Sequence, residues 1–201
     1  MDLLVGQPEI SVFPPLDSEA DWLAGAHGAD ILEYLRAARA TEGPVLDLGS
    51  GDGRFAVPLA RQGFDVDAVD HDGPSLVRLR DWAGRLDVVQ GRVTTIEADL
   101  AQLRLSRSYG LVMLAAGTVL ELPRAVRPAL FRQVAAHLRD GGVLALDYIC
   151  ARRPRIMAPG LETAAIVDDL RAAGLRIRRR DTRPLCEGLE STFLLCAPRG
   201  R

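Results

Sequence analysis

Nine consecutive residues, Val45-Leu46-Asp47-Leu48-Gly49-Ser50-Gly51-Asp52-Gly53, run from an apolar strand pattern through an acid into a GxGxG turn. Gly49, Gly51 and Gly53 have no Cβ to obstruct a ligand or to forbid positive φ, and the helix that follows opens with unpaired amides. A ligand can therefore approach the backbone closely. Asp47 puts a carboxylate beside the turn, which repels pyrophosphate but accepts from an ammonium group. A dinucleotide turn also needs glycine or alanine at its sixth position, and this chain has Arg54 there. The expected ligand is cationic and carries no phosphate.

Two further acids follow at strand ends. Asp70 closes the run Val69-Asp70-His71, where its carboxylate can accept both hydroxyls of a ribose. Asp99 in Glu97-Ala98-Asp99-Leu100 is placed to accept from the exocyclic amine of a base. His71 can stack near such a base, and it can equally face solvent.

The elements that must hold these residues alternate. Pro44–Leu48 reads as a strand, Arg54–Gln62 as a helix and Asp65–Asp70 as a strand, followed by a helix over Pro74–Trp82 and strands over Val93–Ala98 and Tyr109–Ala115. A helix over Arg127–Leu138 leads through the turn Asp140-Gly141-Gly142 to a strand at Val143–Tyr148. After a helix at Leu161–Ala173 come two strand runs, Leu175–Asp181 and Ser191–Ala197, separated by Pro184–Gly188. Alternation of this kind predicts an α/β fold: a mostly parallel sheet covered by helices on both faces, ligands beyond the carboxyl ends of the strands, and a terminal antiparallel pair.

The segments DLGSGDG (47–53), VDHD (69–72) and EADL (97–100), in this order and spacing, resemble the cofactor motifs of class I, Rossmann-like S-adenosylmethionine-dependent methyltransferases. Tyr109–Gly117 is similar to that family's fourth strand, and Leu138–Leu144 to the approach to its fifth. The resemblance covers Gly43–Tyr148. It implies a single domain with a seven-stranded sheet whose last strand is antiparallel, and S-adenosylmethionine as cofactor with S-adenosylhomocysteine as product. By match, Asp47, Gly49, Ser50, Gly51 and Gly53 cradle the amino-acid part of the cofactor, Asp70 holds ribose, and Asp99 with Leu100 frames adenine beside His71. Ala115 ends the fourth strand beside the reactive methyl. Residues 43–201 are then the cofactor-binding domain, and 1–42 a helical segment that is a candidate lid, with Phe13 and Trp22 able to cover the site.

Candidates for the acceptor side lie outside these motifs. Glu121, with Thr118 nearby, lies just past the fourth strand, and a carboxylate there can orient or deprotonate a nucleophile. His27, Tyr34 and Tyr148 offer an imidazole and two phenols, and each can equally be structural. Direct displacement at a sulfonium requires alignment more than a base, so no catalytic residue is obligatory.

Composition narrows the partners. The chain has 201 residues, fitting one domain, and all 25 of its basic residues are arginine, which excludes lysine chemistry. The net charge of −2 argues against an extended nucleic-acid surface, and Arg176, Arg178 and Arg180, on one strand face, read as a solvated sheet edge with Arg179 and Arg183 nearby. Cys150, Cys186 and Cys196 lack metal-ligand spacing, so reduced structural thiols and no metal are expected. No leader-like start and no long apolar run appear, so a cytoplasmic protein free of the membrane is expected, as monomer or homodimer. The favoured activity is methyl transfer to an O, N or C nucleophile of a small molecule, in secondary metabolism. A non-catalytic cofactor-binding role, an RNA or protein acceptor, and an NAD-dependent oxidoreductase are the alternatives, the last opposed by the broken fingerprint.

Overall fold

The computed structural model describes residues 28–85, 91–151, 159–186 and 189–199. The chain divides into two units, Met1–Glu33 and Tyr34–Arg201, with the division falling inside the first described helix, α1 (Gly28–Arg39). The larger unit alternates β1 (Val45–Leu48), α2 (Ala56–Arg61), β2 (Val66–Asp70), α3 (Gly73–Gly84), β3 (Val93–Glu97) and β4 (Tyr109–Leu114). It continues with α4 (Thr118–Glu121), α5 (Arg127–His137), β5 (Leu138–Ala151), α6 (Pro159–Ala172), β6 (Leu175–Cys186) and β7 (Leu189–Pro198).

The seven strands form one sheet in the order β3-β2-β1-β4-β5-β7-β6. All pairs from β3 to β5 are parallel, while β7 runs antiparallel to both β5 and β6. This is the expected α/β sheet with its last strand reversed. Strands β1, β2 and β4 are buried along their whole length, as central strands covered on both faces must be. On one face, Leu46, Leu48, Val112, Leu114, Leu144 and Leu146 pack against Phe131 of α5 and Ile166 and Leu170 of α6. Arg127 of α5, 1% exposed, pairs with Asp169 of α6 at 3.2 Å and ties those helices together. Alternation sends Asp47, Met113, Ala145 and Asp147 to the opposite face. There the Tyr34 ring meets Phe55 and Phe193 edge-on, with centroids 5.0 and 5.4 Å away.

Three expectations about the later strands are corrected. The turn Asp140-Gly141-Gly142 does not precede β5 but lies within it: Tyr109 pairs with Leu138 and Leu111 with Val143, so five intervals of β5 face two of β4 and the excess bulges. Gly141 takes a φ of +77° to allow this. Pro184 does not end β6, because pairing continues through Pro184↔Glu190 to Cys186↔Leu189 across a register shift that absorbs the missing N–H. A second shift between Ile177 and Arg179 makes Arg178 the bulged residue. Arg176 and Arg179 therefore share a face opposite Ala197 and Leu195, whereas Arg180 joins Ile177 on the other. The arginines do lie on an edge strand, as the sequence implied.

Candidate cofactor site

The carboxyl ends of β1, β2 and β4 meet around the glycine turn. Gly49, Gly51 and Gly53 all take positive φ, at +78°, +50° and +90°. A Cβ on Gly49 would come 2.6 Å from Thr118 Cγ2, and one on Gly53 would meet the Leu79 side chain at 2.6 Å. A Cβ on Gly51 would enter open space, so its backbone faces the cradle itself.

Four amides of this turn are spent within the protein. Gly49 and Ser50 N–H donate to the Val69 carbonyl, Gly53 N–H to the Ser50 carbonyl, and Gly51 N–H to Asp70 Oδ2 at 2.8 Å. Asp72 N–H donates to Asp70 Oδ1 at 2.9 Å, and His71 Nδ1 lies 3.5 Å from the same oxygen. Asp70 is thus fixed from two sides while each oxygen keeps capacity for a further donor. Asp72 in turn caps α3 by accepting from Ser75 N–H and Oγ, which sets the chain direction after β2.

Asp47 lies beneath the turn, 1% exposed, and its Oδ2 has no hydrogen-bond partner. Burial, reinforced by the charge of Asp70, pushes its carboxyl from 3.8 to about 7. Ser50 Oγ is likewise buried without a partner. Two orphaned polar groups beside an open glycine describe a cradle shaped for a donor-bearing ligand.

Ala98 N–H donates to the Asp70 carbonyl, which holds the end of β3 against that of β2. Asp99, just beyond, is exposed and accepts from Ala101 N–H at 2.8 Å; Leu100 packs its half-buried side chain on the core. His71 is exposed, with 85% of its side chain in solvent. Ala115 is buried, and its carbonyl accepts from Thr118 N–H and Oγ1, the latter at 2.7 Å. Thr118 therefore locks the β4 turn against Gly49, and Glu121 is exposed one helical turn later.

Tyr34 donates its hydroxyl to Asp147 Oδ1 at 2.5 Å. Tyr148 lies on the face opposite Asp147, 1% exposed within the core beside Ile166, and burial raises its phenol above the ordinary value. His27, Phe13 and Trp22 lie outside the described residues. Sequence reasoning missed Asp147, which also accepts from Ala116 N–H at 2.9 Å. Its only signal was an acid at an apolar strand end, the pattern that identified Asp70. A separate cavity of about 440 Å³, lined by Gly43, Asp65, Arg107 and Arg139, opens at the amino ends of the strands, far from this cradle.

A family model described as "Methyltransferase domain" matches residues 45–142, the segment that carries the cradle and all strands from β1 to the bulge of β5. Residues 45–142 thus match a methyltransferase domain, and the chain has the fold of the S-adenosylmethionine-dependent methyltransferases. The 23S rRNA (uracil(1939)-C(5))-methyltransferase RlmD of Halomonas elongata is 36% identical over 109 residues, 53% of this chain and 22% of that protein. The CcbJ methyltransferase from Streptomyces caelestis superposes with a TM-score of 0.70 at 19% identity, over 89% of this chain and 98% of that one. Magnesium protoporphyrin IX methyltransferase (ChlM) from Synechocystis PCC 6803, solved with bound S-adenosylmethionine, gives a TM-score of 0.66 at 22% identity, over 85% and 77% of the two chains. At such identities the structural likeness speaks to the fold. The chain spans 22% and 41% of the length of the curated relatives it matches, so its own activity has to be argued from its residues.

Proposed function

We propose that this methyltransferase domain transfers the methyl group of S-adenosylmethionine to a nucleophile on a small molecule. The observation that carries the reading is the state of the glycine turn. Its amides at Gly49, Ser50, Gly51 and Gly53 are consumed internally, while two buried acceptors, Asp47 Oδ2 and Ser50 Oγ, are left open. A pyrophosphate needs free amides and is repelled by two carboxylates. An ammonium and a ribose diol need acceptors, which is what the site offers.

In this reading Asp47 and Ser50 accept from the cofactor's amino group, Asp70 accepts from the ribose hydroxyls, and Gly51 gives the backbone room. Asp99 and Leu100 frame the adenine. When bound, S-adenosylmethionine supplies an activated methyl: the acceptor's lone pair forms the new bond to carbon, the carbon–sulfur pair returns to sulfur, and any proton lost by the acceptor passes to solvent or base. The protein contributes alignment and exclusion of water. Asp47 titrates near neutrality, so an arriving cation draws it towards the fully ionised form.

Three features support a small acceptor: the net charge of −2, the placement of the one dense arginine cluster, Arg176 to Arg183, on an edge strand, and the small-molecule substrate named for ChlM. The rRNA methyltransferase relative favours a second reading, an RNA base as acceptor. The domain is also proposed to act in the cytoplasm; no helix among the described residues is long and apolar enough to cross a membrane.

Calorimetric titration with S-adenosylhomocysteine tests the cofactor assignment, with NADH and Asp70→Ala as controls. Saturable one-to-one binding that weakens more than about tenfold in the variant is expected, from loss of a charged hydrogen-bond acceptor. Binding of NADH in preference would overturn the assignment. Incubation with methyl-tritiated S-adenosylmethionine and either a small-molecule extract or total RNA separates the acceptors by where the label appears.

A further inference from the structure

Asp147 occupies a position that the cofactor assignment does not use. Register places it precisely relative to the cradle: Asp47 of β1 pairs with Met113 of β4, Met113 pairs with Ala145 of β5, and Asp147 lies two residues further toward the carboxyl end on the same face. Two strand spacings separate β5 from β1, about 10 Å. Asp147 therefore stands across the β4 turn from Asp47 and Asp70.

That turn is unusual. Ala116 has a φ of +54°, the sole positive value at a non-glycine among the described residues, and Gly117 follows at +80°. An alanine in this conformation is strained and persists where surrounding bonds over-determine it. Here the bonds are identifiable. The Ala116 N–H is held by Asp147 Oδ1 at 2.9 Å, and the Ala115 carbonyl before it is held by Thr118, whose side chain abuts Gly49. Asp147 Oδ1 is itself held by the Tyr34 hydroxyl at 2.5 Å, and the Tyr34 ring is wedged between Phe55 and Phe193.

We infer that Asp147 and Tyr34 are a positioning pair for the transferred methyl group, fixing the strained Ala115-Ala116-Gly117 turn as the wall of the cradle opposite Asp70. The inference rests on the cofactor reading above. With the amino group at Asp47 and ribose at Asp70, the sulfonium that joins those two parts faces the remaining wall, which is the β4 turn. The Asp147 carboxylate also lies on the side where a positive sulfonium is favoured over a neutral thioether. Tyr34 acts through Asp147 and need not touch the cofactor.

The test uses the full chain with Tyr34→Phe, Asp147→Asn and Asp147→Ala. Two quantities are read: amide hydrogen exchange at Ala116 with Gly51 as internal control, and the dissociation constants of S-adenosylmethionine and S-adenosylhomocysteine. Asp147→Ala is expected to speed exchange at Ala116 about tenfold or more, as loss of a charge-assisted bond implies, and to leave Gly51 unchanged. It is also expected to weaken S-adenosylmethionine about tenfold while S-adenosylhomocysteine weakens less than about threefold. Asp147→Asn, which keeps an acceptor oxygen for Ala116, should restore most of the exchange protection but not the preference for the cation. Tyr34→Phe retains the ring packing, so it reports on the hydroxyl even if Asp147→Ala fails to fold; its Ala116 exchange should rise several-fold.

Equal weakening of both ligands would show a fold staple, and unchanged exchange at Ala116 in Tyr34→Phe would show that the Tyr34 hydroxyl does not fix the turn; either overturns the inference. Failure of the wild-type protein to bind either ligand would instead overturn the cofactor reading.

Discussion

Replacing Asp47 by asparagine removes a charge and changes almost nothing in shape, so its effect isolates the cost of burying that carboxylate. The folded carboxyl titrates near 7 and the unfolded one at 3.8. Because the folded value is the higher, the folded state holds the proton more tightly. Below pH 3.8 both states are protonated and the group costs nothing. Between 3.8 and about 7 the unfolded chain ionises alone and stability drains away. Above about 7 the loss is complete and amounts to about 4 kcal/mol, at 1.36 kcal/mol per pH unit. Asp47→Asn is therefore expected to raise the stability of the ligand-free protein by about 4 kcal/mol at pH 8, about 2 at pH 5.5 and about 1 at pH 4.5. For a domain of this size that corresponds to about 10 °C in melting temperature at pH 8. Calorimetric melting across this pH series measures it. The same variant should bind S-adenosylhomocysteine worse, and the wild-type affinity should rise with pH up to about 7 as Asp47 becomes free to ionise. A stability gain independent of pH, or none at pH 8, would refute the claim that Asp47 is buried as an unsatisfied acid.

Three other outcomes follow from the geometry. Gly51→Ala places a methyl at a φ of +50° with no protein atom within 4 Å, so melting should fall by a few degrees for about 1 kcal/mol of backbone strain while S-adenosylhomocysteine binding weakens more than about tenfold. Arg127→Leu breaks the pair with Asp169 and should cost about 3 kcal/mol in denaturant unfolding without altering ligand affinity; combining it with Asp169→Leu should recover part of that loss. Cys196 is buried with its thiol pushed up to about 12, so a thiol reagent at pH 8 should label it only at the rate of unfolding.

The sheet was legible because its strands obey simple rules. Central strands such as Tyr109–Leu114 are unbroken apolar runs, and each is followed by a turn signal or a helix pattern. The acids were legible for a related reason: Asp47 and Asp70 are charged residues at the ends of apolar runs, where burial demands a purpose. What local patterning could not reveal was register. Gly141 and Gly142 look like a turn because their backbone freedom is the same whether it closes a turn or admits a bulge, and only pairing with Tyr109 and Leu111 decides between them. Arg178 carries no mark of being bulged, so strict alternation assigned Arg180 to the wrong face. Asp147 was hidden because its partners, Tyr34 and Ala116, are distant in sequence, and the strain at Ala116 is invisible in a residue type that is ordinarily unstrained.

Those sequence separations also set an order of assembly. The cradle closes through contacts between near neighbours, Gly51 with Asp70 across 19 residues and Asp70 with Ala98 across 28. The Tyr34–Asp147 bond closes a loop of 113, and the ring of Tyr34 is braced by Phe193 of β7, which inserts between β5 and β6. Short loops are entropically cheaper to close than long ones, so the half of the site proposed to grip the cofactor can form while the β4 turn is still loose. If the proposed contacts hold, a refolding chain would then pass through a stage that recognises the cofactor's amino group and ribose before it can hold the methyl in line, and cofactor binding would draw the last strands into place.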